Sequence, residues 1–454
     1  RYREVAKGEV VMQMKPYPKY KDSGIEWIGE IPEGWESRRL RFNCKVNPTE
    51  QIGVSNKKTK VTFLPMDRVS VDGEYDRESE AEYCEVSTGY TYFTNRDVLI
   101  AKITPCFENG KGCYVDNLTN NIGFGTTEFH VLRSHNNMNP EFILYFSRSH
   151  LFRIIGEAFM QGAAGQKRIS TDFTKDFRMP TPPKPEQREI ATFLDKKTSE
   201  INDLIAKNKE LIELEKEKRV ALIDHAVTKG LDSYVKLKYS GVEWVGEIPE
   251  GWKVVPLTKF LVNIADYRGK TPEKTEEGVF LVTGKNIKNG IINYNLSQEY
   301  VHKEDYGKIM QRGKPKKGDL LFTTEAPLGE VANVDNPYIA LAQRIIKMRA
   351  RENVLDNYFL KYYIMTKTFQ GFLQSLATGS TALGIKANKL CYLKLILPPK
   401  PEQVPIVKYL DKHIVNIDKT IHKISKNIEL LEEYKQSLIH HVVTGKVDVR
   451  EVAA

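Results

Sequence analysis

The sequence has no long apolar run and no paired cysteine motif. No stretch of about 18 consecutive apolar residues occurs, so a transmembrane helix is not predicted. Residues 1–20 are polar and basic, unlike a secretory signal, and we expect residues 1–14 to be a tail or an added segment. The five cysteines form no Cys-x-x-Cys pair, and the nine histidines are not spaced with them as ligand sets, which argues against disulfides and zinc. These absences predict a cytoplasmic protein without a bound metal.

Signatures of nucleotide use and of catalysis are also missing. The chain has no Walker A loop, so ATP binding is not predicted. Asn139–Phe142 reads Asn-Pro-Glu-Phe and departs at its third position from the Asn-Pro-Pro-Phe/Tyr segment of adenine methyltransferases, so we predict a helix-initiating turn. Glu433 and Lys435 form a Glu-x-Lys pair, but on a predicted coiled-coil helix, where a nuclease site would be misplaced. We therefore expect no catalytic residue and no cofactor in this chain.

What the sequence does contain is a duplication. Gly24–Trp35 reads GIEWIGEIPEGW, and Gly241–Trp252 reads GVEWVGEIPEGW, 217 residues later. Pro182–Gln187 reads PPKPEQ and returns unchanged as Pro398–Gln403, 216 residues later. Further matched positions at this period are Leu194-Asp195 with Leu410-Asp411, Leu222 with Leu438, His225 with His441, and Thr228 with Thr444. Such self-similarity at one period predicts a tandem repeat of one structural unit.

The bodies between these landmarks have diverged. Residues 42–177 and 257–393 share little beyond their approximate length, although the loop at residues 162–169 aligns with residues 378–385. A retained framework with diverged bodies is expected if the two bodies recognise different targets.

Each PPKPEQ motif opens a stretch with the apolar spacing of a long amphipathic helix. A proline is tolerated in the first turn, and the following glutamate favours the positive helix N-terminus. Glu186–Val227 alone is 42 residues, or about 63 Å of helix. The predicted helix–helix seam comprises Ile201, Ile205, Ile212 and Leu222 in the first copy, and Ile417, Ile421, Ile424, Ile428, Leu431 and Leu438 in the second.

The sequence leaves the direction and the register of the pairing between these two helices open. Leu204, Leu211 and Leu214 widen the apolar stripe of the first copy. We favour antiparallel pairing within the chain, although a connecting domain of this size permits either direction. Asn208 interrupts the seam and either fixes its register or is a tolerated polar defect.

The predicted fold class is α/β: a tandem duplication of a mixed α/β domain followed by a long helix, with the two helices in an antiparallel coiled coil. Short strands are predicted at residues 97–102, 278–282 and 318–323, and helices at residues 140–159 and 357–376. The expected domains are residues 15–183, the helix at 184–235, residues 236–399, and the helix and tail at 400–454.

These landmarks resemble the specificity subunit of type I restriction–modification systems. The resemblance rests on the paired W-x-GEIPEGW motifs, on Gly-Asp-x-Leu at residues 318–321, and on the PPxxEQ…I…LD start of each helix. It covers about residues 17–446 and includes the order domain, helix, domain, helix.

The resemblance implies a function and a set of partners. Each of two target-recognition domains would bind one half of an asymmetric, bipartite site on double-stranded DNA. The helices would set the spacing and dock two methyltransferase (modification) subunits, which would bind S-adenosylmethionine, and restriction/translocase subunits would join the complex. No membrane partner is implied.

Positive charge is concentrated in the second domain. Residues 15–183 carry 22 basic and 22 acidic side chains, whereas residues 236–399 carry 24 and 16, an excess of eight. Gly/Asn/Pro-rich segments of the second domain hold the candidate DNA contacts Arg268, Lys270, Lys285, Asn286, Lys288, Lys314, Lys316 and Lys317. Such cations bind phosphates, and amides read base edges. The alternative is that these lysines only keep the surface soluble.

The first domain is neutral but has local basic stretches. Its candidates are Lys57, Lys58, Lys60, Lys111, Gln166, Lys167 and Arg168. Gln166–Arg168 and the loop with Ser380 and Thr381 occupy corresponding places in the two copies, so they rank first as base contacts, with simple turn chemistry as the alternative. We expect the acidic run at residues 72–85 to face away from DNA or to lie near a partner.

Two functions from different classes remain. A DNA-specificity subunit would bind DNA in a sequence-specific, salt-dependent manner. A non-DNA structural adaptor would use the coiled coil and the domains to join protein partners.

Overall fold

The computed structural model describes residues 14–49, 53–163, 165–267, 269, 272–379 and 383–450. The chain divides into two compact units. Unit 1 comprises residues 1–209 and 426–454, and unit 2 comprises residues 210–425. Each unit therefore contains one globular body and a segment of each long helix.

Unit 1 is a mixed α/β body followed by a long helix. Its strands are β1 (Tyr20–Asp22), β2 (Glu30–Pro32), β3 (Glu36–Arg39), β4 (Cys44–Val46), β5 (Lys60–Leu64), β6 (Glu80–Glu82), β7 (Thr91–Thr94), β8 (Asp97–Ala101), β9 (Gly112–Tyr114), β10 (Ile122–Gly125), β11 (Phe129–Ser134) and β12 (Arg178–Thr181). Its helices are α1 (Tyr83–Val86), α2 (Pro140–Arg148), α3 (His150–Ala158), α4 (Thr171–Asp176) and α5 (Lys184–Lys229), the last of which continues into unit 2.

Unit 2 repeats this organisation. Its strands are β13 (Leu237–Tyr239), β14 (Glu247–Pro249), β15 (Lys253–Pro256), β16 (Leu261–Asp266), β17 (Val279–Val282), β18 (Ile287–Lys288), β19 (Ile291–Ile292), β20 (Tyr300–Val301), β21 (Leu320–Thr324), β22 (Leu328–Asn333), β23 (Ala340–Leu341), β24 (Ile345–Ala350) and β25 (Lys394–Leu397). Its helices are α6 (Tyr306–Ile309), α7 (Asn357–Ile364), α8 (Lys367–Leu376) and α9 (Lys400–Val443), which continues into unit 1.

The two bodies share a sheet topology despite their diverged sequences. The order β4-β11-β8-β9 in unit 1 corresponds to β16-β24-β21-β22 in unit 2. Each body also contains one parallel strand pair in a second sheet, β5 with β10 in unit 1 and β17 with β23 in unit 2. The pairs β3 with β12 and β15 with β25 bring the two ends of each body together before the long helix begins. The predicted fold class is confirmed, and so are the three strands predicted near residues 97, 278 and 318.

Both predicted helical stretches in the bodies are interrupted. Residues 140–159 form α2 and α3, separated at Ser149, and residues 357–376 form α7 and α8, separated at Met365 and Thr366. Ser149 and Thr366 adopt extended backbone angles, and their hydroxyls accept hydrogen bonds from the amides of Phe152 and Phe369. Because a serine or threonine at an N-cap satisfies an orphan amide, it starts a new helix inside an otherwise helical pattern.

The long helices run antiparallel. In unit 1, Ile201 and Ile205 near the start of α5 belong to one core with Leu438 near the end of α9. In unit 2, Ile223 near the end of α5 shares a core with Ile414 near the start of α9. The start of one helix therefore lies beside the end of the other in each unit, and the antiparallel prediction is confirmed.

Burial along the predicted seam is uneven. Ile201, Ile205, Ile417 and Leu438 are buried, and Ile212, Leu222, Ile421, Ile424, Ile428 and Leu431 are half-buried. Leu204, Leu211 and Leu214 are exposed on α5, so these leucines do not extend the buried stripe. Asn208 is half-buried.

An ion pair between a buried aspartate and a half-buried arginine recurs at the start of corresponding strands, β8 and β21. In unit 1, Arg133 donates from Nε and Nη2 to Asp97, at 2.9 and 2.8 Å. In unit 2, Arg349 donates to Asp319 in the same way, at 2.6 and 2.7 Å. Each aspartate also accepts the amide three residues before it, Thr94 in one unit and Lys316 in the other. A buried carboxylate is tolerated here because both of its oxygens accept hydrogen bonds.

Two negative findings apply to the part of the chain that the structure describes. No helix there is long and apolar enough to cross a membrane. The same residues contain no group of three or more His, Cys, Asp or Glu side chains that is placed to hold a metal ion.

Candidate nucleic-acid interface

The repeated tryptophan and glutamate join each body to its long helix. In unit 1, Trp35 Nε1 donates to Glu186 Oε1 at 3.1 Å, and the hydroxyl of Tyr17 donates to the same oxygen at 2.6 Å. In unit 2, Trp252 Nε1 donates to Glu402 Oε2 at 2.8 Å. The glutamate that was expected only to favour the helix N-terminus therefore also anchors the EIPEGW segment.

The repeated glutamine of PPKPEQ holds a second segment of the body. Gln187 Oε1 accepts the amide of Asn139 at 2.8 Å, and its Nε2 donates to the Pro182 carbonyl at 2.7 Å. Gln403 makes the equivalent contacts with Asp356 and Pro398, at 2.8 and 2.9 Å. In each unit the glutamine thereby ties the residue that caps α2 or α7 to the start of the long helix.

The Leu-Asp repeat completes what we call the domain–helix joint. Tyr145 on α2 donates to Asp195 on α5 at 2.6 Å, and Tyr362 on α7 donates to Asp411 on α9. Burial raises the pKa of Asp195 above the ordinary aspartate value, and the Tyr145 hydroxyl opposes that shift. The joint is Trp35, Gln187, Glu186, Tyr145 and Asp195 in unit 1, and Trp252, Gln403, Glu402, Tyr362 and Asp411 in unit 2.

The first-ranked candidate loops occupy corresponding places. In unit 1, bridges join Gln161 and Ile103 to Arg168, and in unit 2, bridges join Thr378 and Glu325 to Gly384. Gln166 and Lys167 are exposed. Ser380 and Thr381, together with Arg268 and Lys270, lie outside the described residues.

Arg168 is already engaged by its own domain. Its Nε and Nη2 donate to the two carboxylate oxygens of Glu128 at 2.9 and 2.8 Å. The hydrogen bonds from Arg168 lower the pKa of the Glu128 carboxyl. This pair neutralises much of the positive charge that Arg168 would bring to a polyanion.

The other basic candidates of unit 1 are dispersed. Lys57 and Lys58 are exposed on the turn before β5. Lys60 is exposed and its ammonium lies 3.0 Å from Glu80. Lys111 is half-buried just before β9, where its carbonyl accepts the amide of Ala101. Three of these four lysines therefore lie at the start of β5 or just before it, and the fourth lies before β9.

In unit 2 the candidate lysines are exposed and without acidic partners. Lys285, Lys288, Lys316 and Lys317 have no carboxylate within ion-pairing distance among the residues that the structure describes. Lys314 is also exposed, and its ammonium lies 5.5 Å from the centre of the Tyr306 ring. Cations that are not neutralised locally are suited to an external anion.

Asn286 does not belong with these surface residues. It is fully buried, and its Oδ1 accepts the amide of Thr283 while its Nδ2 donates to the carbonyls of Asn293 and Ser297. Because its amide is used inside the loop, Lys285 and Lys288 are the two candidates of this segment that are exposed to a ligand.

The acidic run of unit 1 faces the helices at one point. Asp72 Oδ1 lies 2.8 Å from the ammonium of Lys435 on α9, and Lys435 also donates to Asn202 on α5 at 2.8 Å. The Glu-x-Lys pair seen in the sequence is thus partly a structural contact. Asn139 likewise accepts the amide of Phe142 at 3.0 Å and initiates α2, which confirms the helix-initiating turn.

The chain matches known families and structures. The family model described as type I restriction modification DNA specificity domain matches residues 32–214 and, a second time, residues 249–430. The specificity subunit of the type I restriction enzyme EcoAI of Escherichia coli is 38% identical over 190 residues. That match covers 41% of this chain and 31% of the relative, so it spans about a third of the relative's length.

Other matches extend over nearly the whole chain. The putative type I restriction enzyme MjaX specificity subunit of Methanocaldococcus jannaschii is 26% identical over 440 residues, covering 93% of this chain and 96% of the relative. A chain from a structural study of complex assembly and conformational transition of the type I R-M system is 18% identical, with a TM-score of 0.72 over 91% of this chain and 98% of that chain. The HsdS subunit of Thermoanaerobacter tengcongensis superimposes with a TM-score of 0.55, at 18% identity over 92% of this chain and 98% of that chain.

The structural matches show the same fold, and the two matched segments of the family model coincide with the two repeats found in the sequence. Together they cover well over half of the residues. The chain belongs to the specificity-subunit family of type I restriction–modification systems.

Proposed function

We propose that this chain recognises a bipartite site on double-stranded DNA, with each recognition domain reading one half. The observation that carries the proposal is a set of exposed lysines of unit 2 without an acidic partner among the described residues, Lys285, Lys288, Lys316 and Lys317, on a domain with eight excess positive charges. A duplicated fold with diverged bodies also suits two different half-sites. The first domain would contribute Gln166, Lys167, Lys57 and Lys58, which are exposed.

We propose further that the paired long helices set the distance between the half-sites. α5 has 46 residues, which corresponds to about 69 Å of continuous helix. The domain–helix joints support this role, because each fixes a body to the long helix that follows it through a buried tryptophan, Trp35 or Trp252. The boundaries that accompany the proposal are residues 15–183 and 236–399 for the recognition domains and 184–235 and 400–454 for the helical segments.

The same helices would dock two methyltransferase subunits. The exposed Leu211 and Leu214 on α5 support a protein contact there, since exposed neighbouring leucines are typical of interaction surfaces. In this proposal the chain is a non-catalytic subunit, S-adenosylmethionine is bound by the methyltransferase subunits, and restriction/translocase subunits complete the enzyme.

Selection from random duplexes tests the proposal. The purified chain, with and without methyltransferase subunits, is incubated with a pool of random double-stranded DNA, and bound duplexes are sequenced. We expect two short conserved blocks separated by a spacer of constant length. Enrichment of no bipartite motif, even with methyltransferase subunits present, would reject DNA recognition and favour the structural adaptor.

The spacing role has its own test. One heptad is inserted into both helices where the chain passes from one unit to the other, after Lys209 and after Ser425. Seven residues add about 10 Å, so the selected spacer should lengthen by up to about three base pairs, at 3.4 Å each, while both blocks stay the same. An unchanged spacer contradicts the role, and insertion into one helix alone is the control that should disrupt the pairing.

A further inference from the structure

Unit 2 contains a buried lysine that its fold does not require. Lys347 lies in the middle of β24, is 1% exposed, and pairs with Leu321 of β21 and Ala265 of β16. Burial lowers the pKa of its ammonium, while the neighbouring Asp319 opposes the shift. A buried ammonium is costly unless it is paired and hydrogen-bonded.

The other unit shows what this position needs for folding alone. Strand β11 pairs Val131 with Leu99 of β8, in the register in which β24 pairs Lys347 with Leu321 of β21. Val131 is buried in an apolar core. The same sheet with the same buried aspartate–arginine pair therefore forms around a valine, so the ammonium of Lys347 is additional to the fold.

The ammonium of Lys347 contacts the turn at residues 314–317. Its Nζ donates to the carbonyl of Lys314 at 3.3 Å and lies 3.7 Å from Asp319 Oδ2. Asp319 Oδ2 in turn accepts the amide of Lys316 at 2.8 Å. Lys347 therefore hydrogen-bonds to the first residue of the segment Lys314–Lys316, and Asp319 hydrogen-bonds to the last.

This turn differs between the units in what it exposes. Lys316 and Lys317 of unit 2 stand where unit 1 has Thr94 and Asn95, as the shared amide contact to Asp319 and Asp97 shows. In unit 2 the turn exposes three lysines, Lys314, Lys316 and Lys317, around a buried proline. Lys347 and Arg349 share the carboxylate of Asp319, so Asp319 does not neutralise the exposed lysines of the turn, which are therefore suited to an external anion.

We propose that Lys347 is a positioning residue that holds the turn Lys314–Lys317 as a DNA phosphate-binding site belonging to the second recognition domain only. The inference rests on the proposed function. Lys316 and Lys317 contact the phosphates, and Lys347 fixes the backbone that carries them and adds to the local field. A pre-ordered cation loses less conformational entropy when it binds.

The test exchanges the buried lysine for the residue of the other unit. Full-length Lys347→Val, Lys316→Ala/Lys317→Ala, and the triple variant are titrated against a labelled random-sequence duplex by fluorescence anisotropy, between 50 and 200 mM salt. The Lys303→Ala variant removes an equal charge from an exposed site outside the turn and serves as control. Thermal unfolding is measured for all variants.

We expect Lys347→Val to stay folded, because Arg349 still pairs with Asp319, as Arg133 pairs with Asp97 in the unit that has Val131 at this position. Its DNA affinity should fall, because the turn that carries Lys316 and Lys317 is no longer held, and the loss of one of their phosphate contacts would decrease the salt slope by about one. The ratio of wild-type to variant affinity would then fall about fourfold between 50 and 200 mM salt. In the background without Lys316 and Lys317, Lys347→Val should have no further effect on binding.

Three results would overturn the inference: unchanged binding by Lys347→Val, an effect matched by Lys303→Ala, or an equal loss in both backgrounds, which is the signature of a merely structural role. If Lys347→Val unfolds early, Lys347→Met keeps the packing volume and must give the same binding result. Wild-type protein that binds no duplex would reject the proposed function itself, which distinguishes the two failures.

Discussion

Unit 1 and unit 2 have the same sheets in the same order, yet they present their charges differently. In unit 1, Arg168 is paired with Glu128 and Lys60 with Glu80. In unit 2, Lys285, Lys288, Lys316 and Lys317 have no acidic partner among the described residues. The framework of the fold is thus kept constant by buried contacts, and the surface charge varies between the copies.

This difference separates the residues that maintain the fold in both units from the residues that vary between them. The domain–helix joints and the buried pairs Asp97–Arg133 and Asp319–Arg349 recur because they hold the architecture. The exposed Lys316 and Lys317 do not recur, since Thr94 and Asn95 stand in their places in unit 1. We infer that the second domain contributes more of the phosphate binding, and that the first relies more on local contacts or on partner subunits.

The largest expected effect is the loss of DNA affinity on removing the lysines of unit 2. Lys316→Ala/Lys317→Ala should weaken binding to random duplex on the order of fiftyfold at 0.1 M salt, because two phosphate contacts are lost. Lys57→Ala/Lys58→Ala in unit 1 removes the same charge from a neutral domain and should weaken binding much less. Anisotropy titrations measure both, and equal losses would contradict the unequal roles.

The joints should differ in strength. Glu186 is buried and accepts from both Tyr17 and Trp35, whereas Glu402 is exposed and accepts from Trp252. Glu186→Ala leaves two buried donors unsatisfied and should destabilise unit 1 by about 2 kcal/mol. Glu402→Ala should destabilise unit 2 less.

Hydrogen exchange measured separately for peptides of the two units distinguishes these effects. The expected result is faster exchange throughout unit 1 in Glu186→Ala and a smaller change in unit 2 in Glu402→Ala. Equal changes would show that the second acceptor bond of Glu186 contributes nothing.

Acid should destabilise unit 1 through a buried histidine at a position where unit 2 has an isoleucine. Burial lowers the pKa of His130 to about 4, and its position corresponds by strand register to the buried Ile346 of unit 2. A histidine with a depressed native pKa stays neutral in the folded state while the unfolded state binds a proton, so stability is lost as pH falls from about 6.5 towards 4.

The contribution of His130 to this loss should approach 2 kcal/mol between pH 7 and pH 5. Denaturant unfolding at both pH values measures it, and His130→Gln is the variant in which the pH-dependent part should shrink. A wild-type unit 1 that is equally stable at pH 7 and pH 5 would contradict the assignment.

The smallest effect concerns the paired arginine. Glu128→Gln removes the charge that neutralises Arg168 and should raise DNA affinity a fewfold, with a steeper salt dependence. Arg168→Ala is the matched control and should not raise it. A lower affinity of Glu128→Gln would indicate that the pair orients Arg168 for binding instead of restraining it.

The large-scale architecture could be predicted from the sequence because it depends on patterns that repeat along the chain. The EIPEGW and PPKPEQ motifs revealed the duplication, and the spacing of Ile201, Ile205 and Leu438 revealed a helix seam. The helix breaks at Ser149 and Thr366 were missed, since the apolar period continues through them. A serine or threonine followed by a new apolar turn was the available signal.

The candidate site was less predictable because it depends on contacts between distant residues. Asn286 looked like a surface amide, yet its partners Thr283, Asn293 and Ser297 enclose it. The role of Lys347 follows only from strand register and from comparison with Val131, and neither can be read from one segment. The role of Trp35 and Trp252 in the joints had a signal, namely their repetition together with the two glutamates.

The central claim is that each recognition domain reads one half of the DNA site. The most direct measurement replaces the second body, residues 257–393, with the corresponding body of a relative and repeats the selection from random duplexes. The account predicts that one block of the selected motif changes while the other block and the spacer remain those of the wild type. A motif in which both blocks change, or neither, would contradict it.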